Sequence, residues 1–169
     1  MRILTLLTFF VMFAFTTSAQ TSDTKTNTVN ITIQSAIVLT VTALQTQNIT
    51  VTSLADFTNG VATTSPSTFS VASNRLYNVS VVPNSNNFSH SAGWSGSSTT
   101  LPASVLEVRK NGTTTFTAFS NTSTPVSILT NGAIGSTTFG VDYKANPGLS
   151  TVYPDDTYTI TLTYTATQQ

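Results

Sequence analysis

Cysteine is absent from this chain. No disulfide can staple the fold, no thiolate can act as nucleophile or metal ligand, and no lipobox cysteine can carry a lipid anchor. Charge is almost as scarce. Asp, Glu, Lys and Arg make up 7% of the residues, against about a quarter in an ordinary domain. With Arg2 set aside, five basic residues (Lys25, Arg75, Arg109, Lys110, Lys144) stand against six acidic ones (Asp23, Asp56, Glu107, Asp142, Asp155, Asp156). No basic patch exists to hold phosphate, so nucleic acid and acidic lipid are not expected partners.

Groups that carry chemistry are few. His90 is the single histidine, it lies in a polar loop, and no serine sits in a nucleophile-elbow pattern that would use it. Zinc would lack ligands. Asp142, Asp155 and Asp156 form the weak alternative for calcium, but a Pro-Asp-Asp turn at the start of a strand explains the last two without metal. Glu107 and Asp142 are the one carboxylate pair outside obvious turns, and Glu107 lies mid-strand beside Arg109, a poor setting for a raised pKa. The sequence therefore predicts no enzyme, no metal and no cofactor.

Long apolar runs are missing too, with one exception. Ile3 to Phe15 is an apolar core behind Arg2, followed by "TTSAQ" with Thr17 and Ala19 at small-residue positions. This is the pattern of a secretory signal peptide over residues 1–19, and it falls short of the about 20 residues a spanning helix needs. The expectation is an exported protein with no stable membrane span after cleavage, located in the periplasm, at the cell surface or outside the cell. "LPAS" at Leu101 to Ser104 lacks the threonine and glycine of a sortase signal, so attachment is expected to be non-covalent.

About a third of the residues are serine or threonine, yet 39% are apolar, and the two kinds alternate. Period two marks half-buried strands, whereas a disordered stalk would lack it. After a polar lead over residues 20–26, "TNTVNITI" puts Val29, Ile31 and Ile33 on one face. "AIVLTVTAL", "NITVTSL", "STFSVAS", "LYNVSVV", "ASVLEVRKNGTTTFTAF", "PVSIL" and "TTFGVDYK" continue the pattern, with turn signals at Asn59-Gly60, Asn74-Arg75, Asn111-Gly112 and Asn131-Gly132. The last strand, within "PDDTYTITLTYTAT", sets Tyr158, Ile160, Leu162, Tyr164 and Ala166 against threonines. Eight to ten short strands without a convincing helix predict an all-β fold, an antiparallel Greek-key β-sandwich of immunoglobulin type over residues 27–169.

The stretches "FSVASNRLYNVSVV", "LPASVLEVR" and "GVDYKANPGLSTVYPDDTYTITLTYTATQQ" resemble bacterial secreted β-sandwich surface domains of the spore-coat-protein-U-like, WxL-type and pilin-like groups. The likeness covers roughly Phe69 to Thr167. It implies a non-enzymatic component of an envelope, fibre or adhesive surface. The leader ending in "SAQ" is similar to those of the Bacteroidota, a Gram-negative group. The chain departs from those groups at "WSG" (Trp94 to Gly96), which is not a WxL signature, and in having no cysteine pair.

Two modes of binding follow. A protein partner, or a second copy, can add a strand to an open sheet edge; the edge candidates are Val29, Ile31 and Ile33 in the first strand and Tyr158, Ile160, Leu162 and Tyr164 in the last. Alternatively Trp94, in the long loop from Pro83 to Pro102, with Phe88 and Tyr77 near it, forms an aromatic platform for a glycan.

Overall fold

Runs in which Val, Phe, Tyr and Ile alternate with Ser and Thr fold as strands whose apolar side chains point one way. A computed structural model describes residues 25–43, 46–63, 65–91, 100–148, 153 and 156–169. The protein is nearly all β, with antiparallel sheets in a sandwich-like arrangement. Its contacts divide the chain into a unit of residues 1–33 and a compact unit from Gln34 to Gln169. In the first, residues 25–33 form neither strand nor helix and are all exposed.

The larger sheet runs in the order β1 (Ile37–Ala43), β3 (Ser67–Ser73), β9 (Gly135–Ala145), β6 (Leu106–Lys110), β7 (Thr117–Ala118), with the short β2 (Val61–Ala62) also on β9. The smaller sheet is β11 (Leu162–Gln168), β4 (Tyr77–Pro83), β8 (Val126–Gly132). A third pairing joins β5 (Ser89–His90) to β10 (Tyr158–Thr159).

The core lies between the inner faces of the two main sheets. β3 and β4 alternate along their length, burying Phe69 and Val71 on one and Tyr77, Val79 and Val81 on the other. β6 and β9 add Leu106, Val108, Phe139, Val141 and Tyr143, and β8 adds Val126 and Ile128. Phe69 and Phe139 face each other in the β3–β9 register and stack with ring centroids 5.7 Å apart. Asp142 breaks the alternation in β9. It is buried because Arg109 Nε and Asn111 Nδ2 each donate to its carboxylate at 3.0 Å, while the Arg109 guanidinium lies 4.2 Å over the Phe116 ring. Burial of a carboxylate is tolerated when it is paired and hydrogen-bonded in this way.

Four segments differ from the sequence-based expectation. "TNTVNITI" is not a strand; Val29, Ile31 and Ile33 stand 74–82% exposed. "NITVTSL" also lacks a strand partner, although Ile49 packs against the core. It leads into a helix, α1 (Leu54–Asn59), where Ser53 caps Asp56 N and the Asp56 side chain accepts from Ser53 N, a reciprocal capping box. Asn59-Gly60 therefore ends a helix rather than a hairpin. Asn131-Gly132 is the third case. Gly132 belongs to β8 and pairs with Tyr77, and a Cβ there would lie 2.4 Å from the tyrosine ring. The glycine is needed for close approach, not for a turn. Finally, the closing strand divides into β10 and β11. At the break, Asn84 Oδ1 accepts from Thr161 N and Asn84 N donates to Thr161 O, at 3.1 and 2.9 Å.

Candidate functional site

Two edges of the sandwich lie on the same side. β1 ends the larger sheet and β11 ends the smaller one, and neither has a second strand partner among the described residues. Both strands alternate. Ile37 and Leu39 on β1, and Leu162, Tyr164 and Ala166 on β11, turn toward the core but remain only half-buried, unlike the inner residues of β3 and β4. The core is thus incompletely sealed along this seam. Neither strand carries a charged residue, the usual guard of a free edge.

One end of the seam is fastened by side-chain amides. Gln168 Nε2 donates to Ala36 O (2.7 Å), Ser73 Oγ (2.9 Å) and Asn74 Oδ1 (3.1 Å). Asn74 holds the residues before β1: its Nδ2 donates to Gln34 O at 2.7 Å, and its Oδ1 accepts from Ala36 N at 2.9 Å. Asn74 N also donates to Ala36 O, and Arg75 reaches Ser35 Oγ. Deeper in, Tyr164 links the sheets. Its ring lies 4.3 Å from that of Phe69, and its hydroxyl is 2.7 Å from that of Tyr143 on β9. Burial pushes both phenols above their ordinary pKa, Tyr164 the more strongly.

Of the edge residues expected from the sequence, Leu162 and Tyr164 lie on β11 with their side chains inward. Tyr158 lies on β10, paired with His90, and Ile160 sits at the break between the two strands. Val29, Ile31 and Ile33 belong to the exposed segment before the sandwich. Sequence reasoning missed Ile37, Leu39 and Ala166 as seam residues, and it missed Asn74 and Gln168. Alternation puts the first three on an inward face but does not say that their strands are edges; the amides carry no sequence signal, because their role depends on the end of β11 meeting the loop at Asn74.

The aromatic platform divides. Trp94 and its neighbours over residues 92–99 lie outside the described residues. Tyr77 is fully buried in the core, because Gly132 leaves room for its ring, so it offers no face to a ligand. Phe88 is half-buried and lines a cleft of about 250 Å³ together with Asn84, Ser85, Asn87, Thr159 and Ile160. Among the described residues no charged one lines it.

The acidic candidates do not converge. Asp142 is occupied by Arg109 and Asn111, and Asp155 lies outside the described residues. Asp156 accepts from the Ser91 hydroxyl and from Thr157 N, with His90 Nδ1 at 3.6 Å. The Ser91 bond is the first cause holding this carboxyl below its ordinary pKa. Ser91 thus donates to the carboxylate rather than to the imidazole, the reverse of what nucleophile activation requires. Among the described residues no three of His, Cys, Asp or Glu are grouped to hold a metal, and no helix is long and apolar enough to cross a membrane.

No protein-family model matches this sequence, and no characterised protein matches it.

Proposed function

We propose that this chain is an exported, non-enzymatic structural or adhesive module of a bacterial cell envelope or surface, which joins a larger assembly by strand addition at its open edge. The seam between β1 and β11 carries this reading. Two neighbouring edges without a second strand partner among the described residues present backbone N–H and C=O groups in front of half-buried apolar side chains, and neither strand carries a charge to discourage a partner. A strand added there gains main-chain hydrogen bonds and covers apolar surface without any sculpted pocket. The signal-peptide pattern and the hydroxyl-rich surface are what such an exported module requires.

Size-exclusion chromatography and electron microscopy of the secreted protein test this. The native chain is expected in species larger than a monomer or bound to the envelope fraction. Thr163→Lys with Thr165→Lys, which places charge on the β11 edge, is expected to release it as a folded monomer. A native chain that is monomeric and unattached at every concentration overturns the reading.

A second reading rests on the cleft beside Phe88. A neutral lining of asparagine, serine and threonine around one aromatic face suits an uncharged sugar ring. Glycan-array binding that is lost in Phe88→Ala or in Trp94→Ala supports it, and binding unchanged by both removes it.

A further inference from the structure

We propose that Asn111 is a site of spontaneous deamidation, and that its conversion to a carboxylate breaks up the buried cluster joining β6 to β9. Asn-Gly offers this reaction the least steric resistance, since glycine puts no Cβ beside the attacking nitrogen. The glycine backbone nitrogen attacks the asparagine Cγ and closes a five-membered imide. The bond from Cγ to Nδ2 breaks, and Nδ2 leaves as ammonia with the proton that the backbone nitrogen gives up. Water, the one co-reactant, then opens the imide at either carbonyl and leaves aspartate or isoaspartate.

The chain has three such pairs, Asn59-Gly60, Asn111-Gly112 and Asn131-Gly132, and the fold treats them differently. Gly60 N is committed to Asp56 O at 2.8 Å as the cap of α1, and a Cβ there would lie 2.5 Å from Lys144 and 2.8 Å from the Ala145 carbonyl oxygen. Gly132 is buried in β8 against the Tyr77 ring. Neither nitrogen has room to turn toward the preceding side chain. Gly112 is exposed, with φ +86° and nothing within 4 Å of where a Cβ would stand. Thr113 N closes its turn on Lys110 O at 3.1 Å, and Gly112 N donates to no group among the described residues. The free nucleophile is at Gly112.

The side chain at risk holds a buried charge in place. Asn111 Nδ2 donates to both oxygens of Asp142, at 3.0 and 3.2 Å, and Arg109 Nε, from the residue opposite Asp142 in the β6–β9 register, adds a third bond at 3.0 Å. Asp142 is only 5% exposed. A carboxylate at position 111 has no proton to donate. It sets a second negative charge beside the first, with Arg109 left to balance both. Isoaspartate also lengthens the backbone by one methylene, in a turn that Asn111 N pins to Gly140 O at 2.8 Å.

Ageing the native chain at mildly alkaline pH and body temperature tests the proposal. The protein is digested with pepsin in acid, where the reaction is slow, and its peptides are mapped by mass spectrometry. Conversion at Asn111 should outpace Asn59 and Asn131 by about tenfold or more, because freeing a bonded or buried N–H adds to the barrier. Asn111→Asp, the direct mimic, should melt roughly 5 °C lower, and aged native protein should acquire a melting component at that lower temperature. Adding Asp142→Asn to Asn111→Asp restores one amide and one carboxylate with their places exchanged, and it should recover most of the loss. That recovery carries the test alone if the single variant does not fold. Conversion at Asn59 or Asn131 that matches Asn111 overturns the proposal, as does an Asn111 that stays intact while the same residues in a short peptide convert. So does an unshifted melt in Asn111→Asp, or a double variant no more stable than the single one.

Discussion

Tyr77 and Tyr164 make opposite predictions for the same chemical change. Both are aromatic residues of the smaller sheet, on β4 and β11. Tyr164 shares a 2.7 Å hydroxyl contact with Tyr143, which also bonds Ser67. Removing the Tyr164 oxygen keeps the ring against Phe69 but deletes one buried hydrogen bond, a loss of about 1 kcal/mol. Tyr77 is 0% exposed, and its hydroxyl has no hydrogen-bond partner among the described residues. An unsatisfied buried polar group costs about 1–3 kcal/mol, so Tyr77→Phe should be neutral or stabilise by about 1 kcal/mol. The two variants should therefore lie about 1–2 kcal/mol apart. With a urea slope of about 2 kcal/mol/M, that is a gap of roughly 0.5–1 M between unfolding midpoints. Urea titration followed by near-ultraviolet circular dichroism reads it directly. If Tyr77→Phe lowers the midpoint as much as Tyr164→Phe, the hydroxyl is satisfied and the reasoning fails.

Alkali should act through the tyrosine pair. Burial raises the pKa of Tyr143 and Tyr164 above the unfolded value of 10.0, so their contribution is complete below pH 10 and shrinks as pH rises beyond it. Each phenol kept neutral costs about 1.4 kcal/mol of stability per pH unit there, and Tyr164→Phe should flatten that decline in a pH series of urea midpoints. Gly132→Ala forces a Cβ to within 2.4 Å of the Tyr77 ring and should destabilise by about 1–3 kcal/mol; Tyr77→Leu in the same chain should recover part of the loss. Arg109→Leu strips the buried Asp142 of its cation and should cost about 2 kcal/mol, tempered because the arginine is partly exposed; adding Asp142→Leu should restore most of it. Thermal melts decide both pairs.

Alternation made the strands of the sandwich legible, because a residue two positions away always returns to the same face. β3 and β4 are read directly from "STFSVAS" and "LYNVSVV". The same rule failed at "TNTVNITI", whose pattern is as regular as theirs. Period two specifies which side of a strand is dry, but not that a neighbour exists to pair with it. It failed differently at the closing run, where Asn84 takes the Thr161 backbone bonds and splits one pattern into β10 and β11. The helix at Leu54 carries Ser53 and Asp56 at capping-box spacing, a signal that the reading by apolar alternation did not use. At the seam, the aliphatic residues were legible from β11 and the clasp was not, since Asn74 and Gln168 meet through the tertiary fold.

Charge is distributed unevenly over the sandwich. β6, an interior strand between β9 and β7, carries Glu107, Arg109 and Lys110, whereas the edge strands β1 and β11 carry none. If the exposed segment of residues 27–33 supplies the strand added at the β11 edge of a second copy, the donating segment and the accepting edge are different surfaces. Such a contact is heterologous, and it propagates as a filament unless the rotation between neighbours closes a ring. That geometry has a direct consequence. A chain lacking residues 20–33 keeps the accepting edge and loses the donor, so it can be bound by one neighbour but cannot bind the next. Mixed into native protein at a small mole fraction, it should end each filament it enters, and mean length in electron micrographs should fall in inverse proportion to that fraction. Rings would instead open into short arcs, and lengths indifferent to the truncated chain would mean that these residues are not what links one copy to the next.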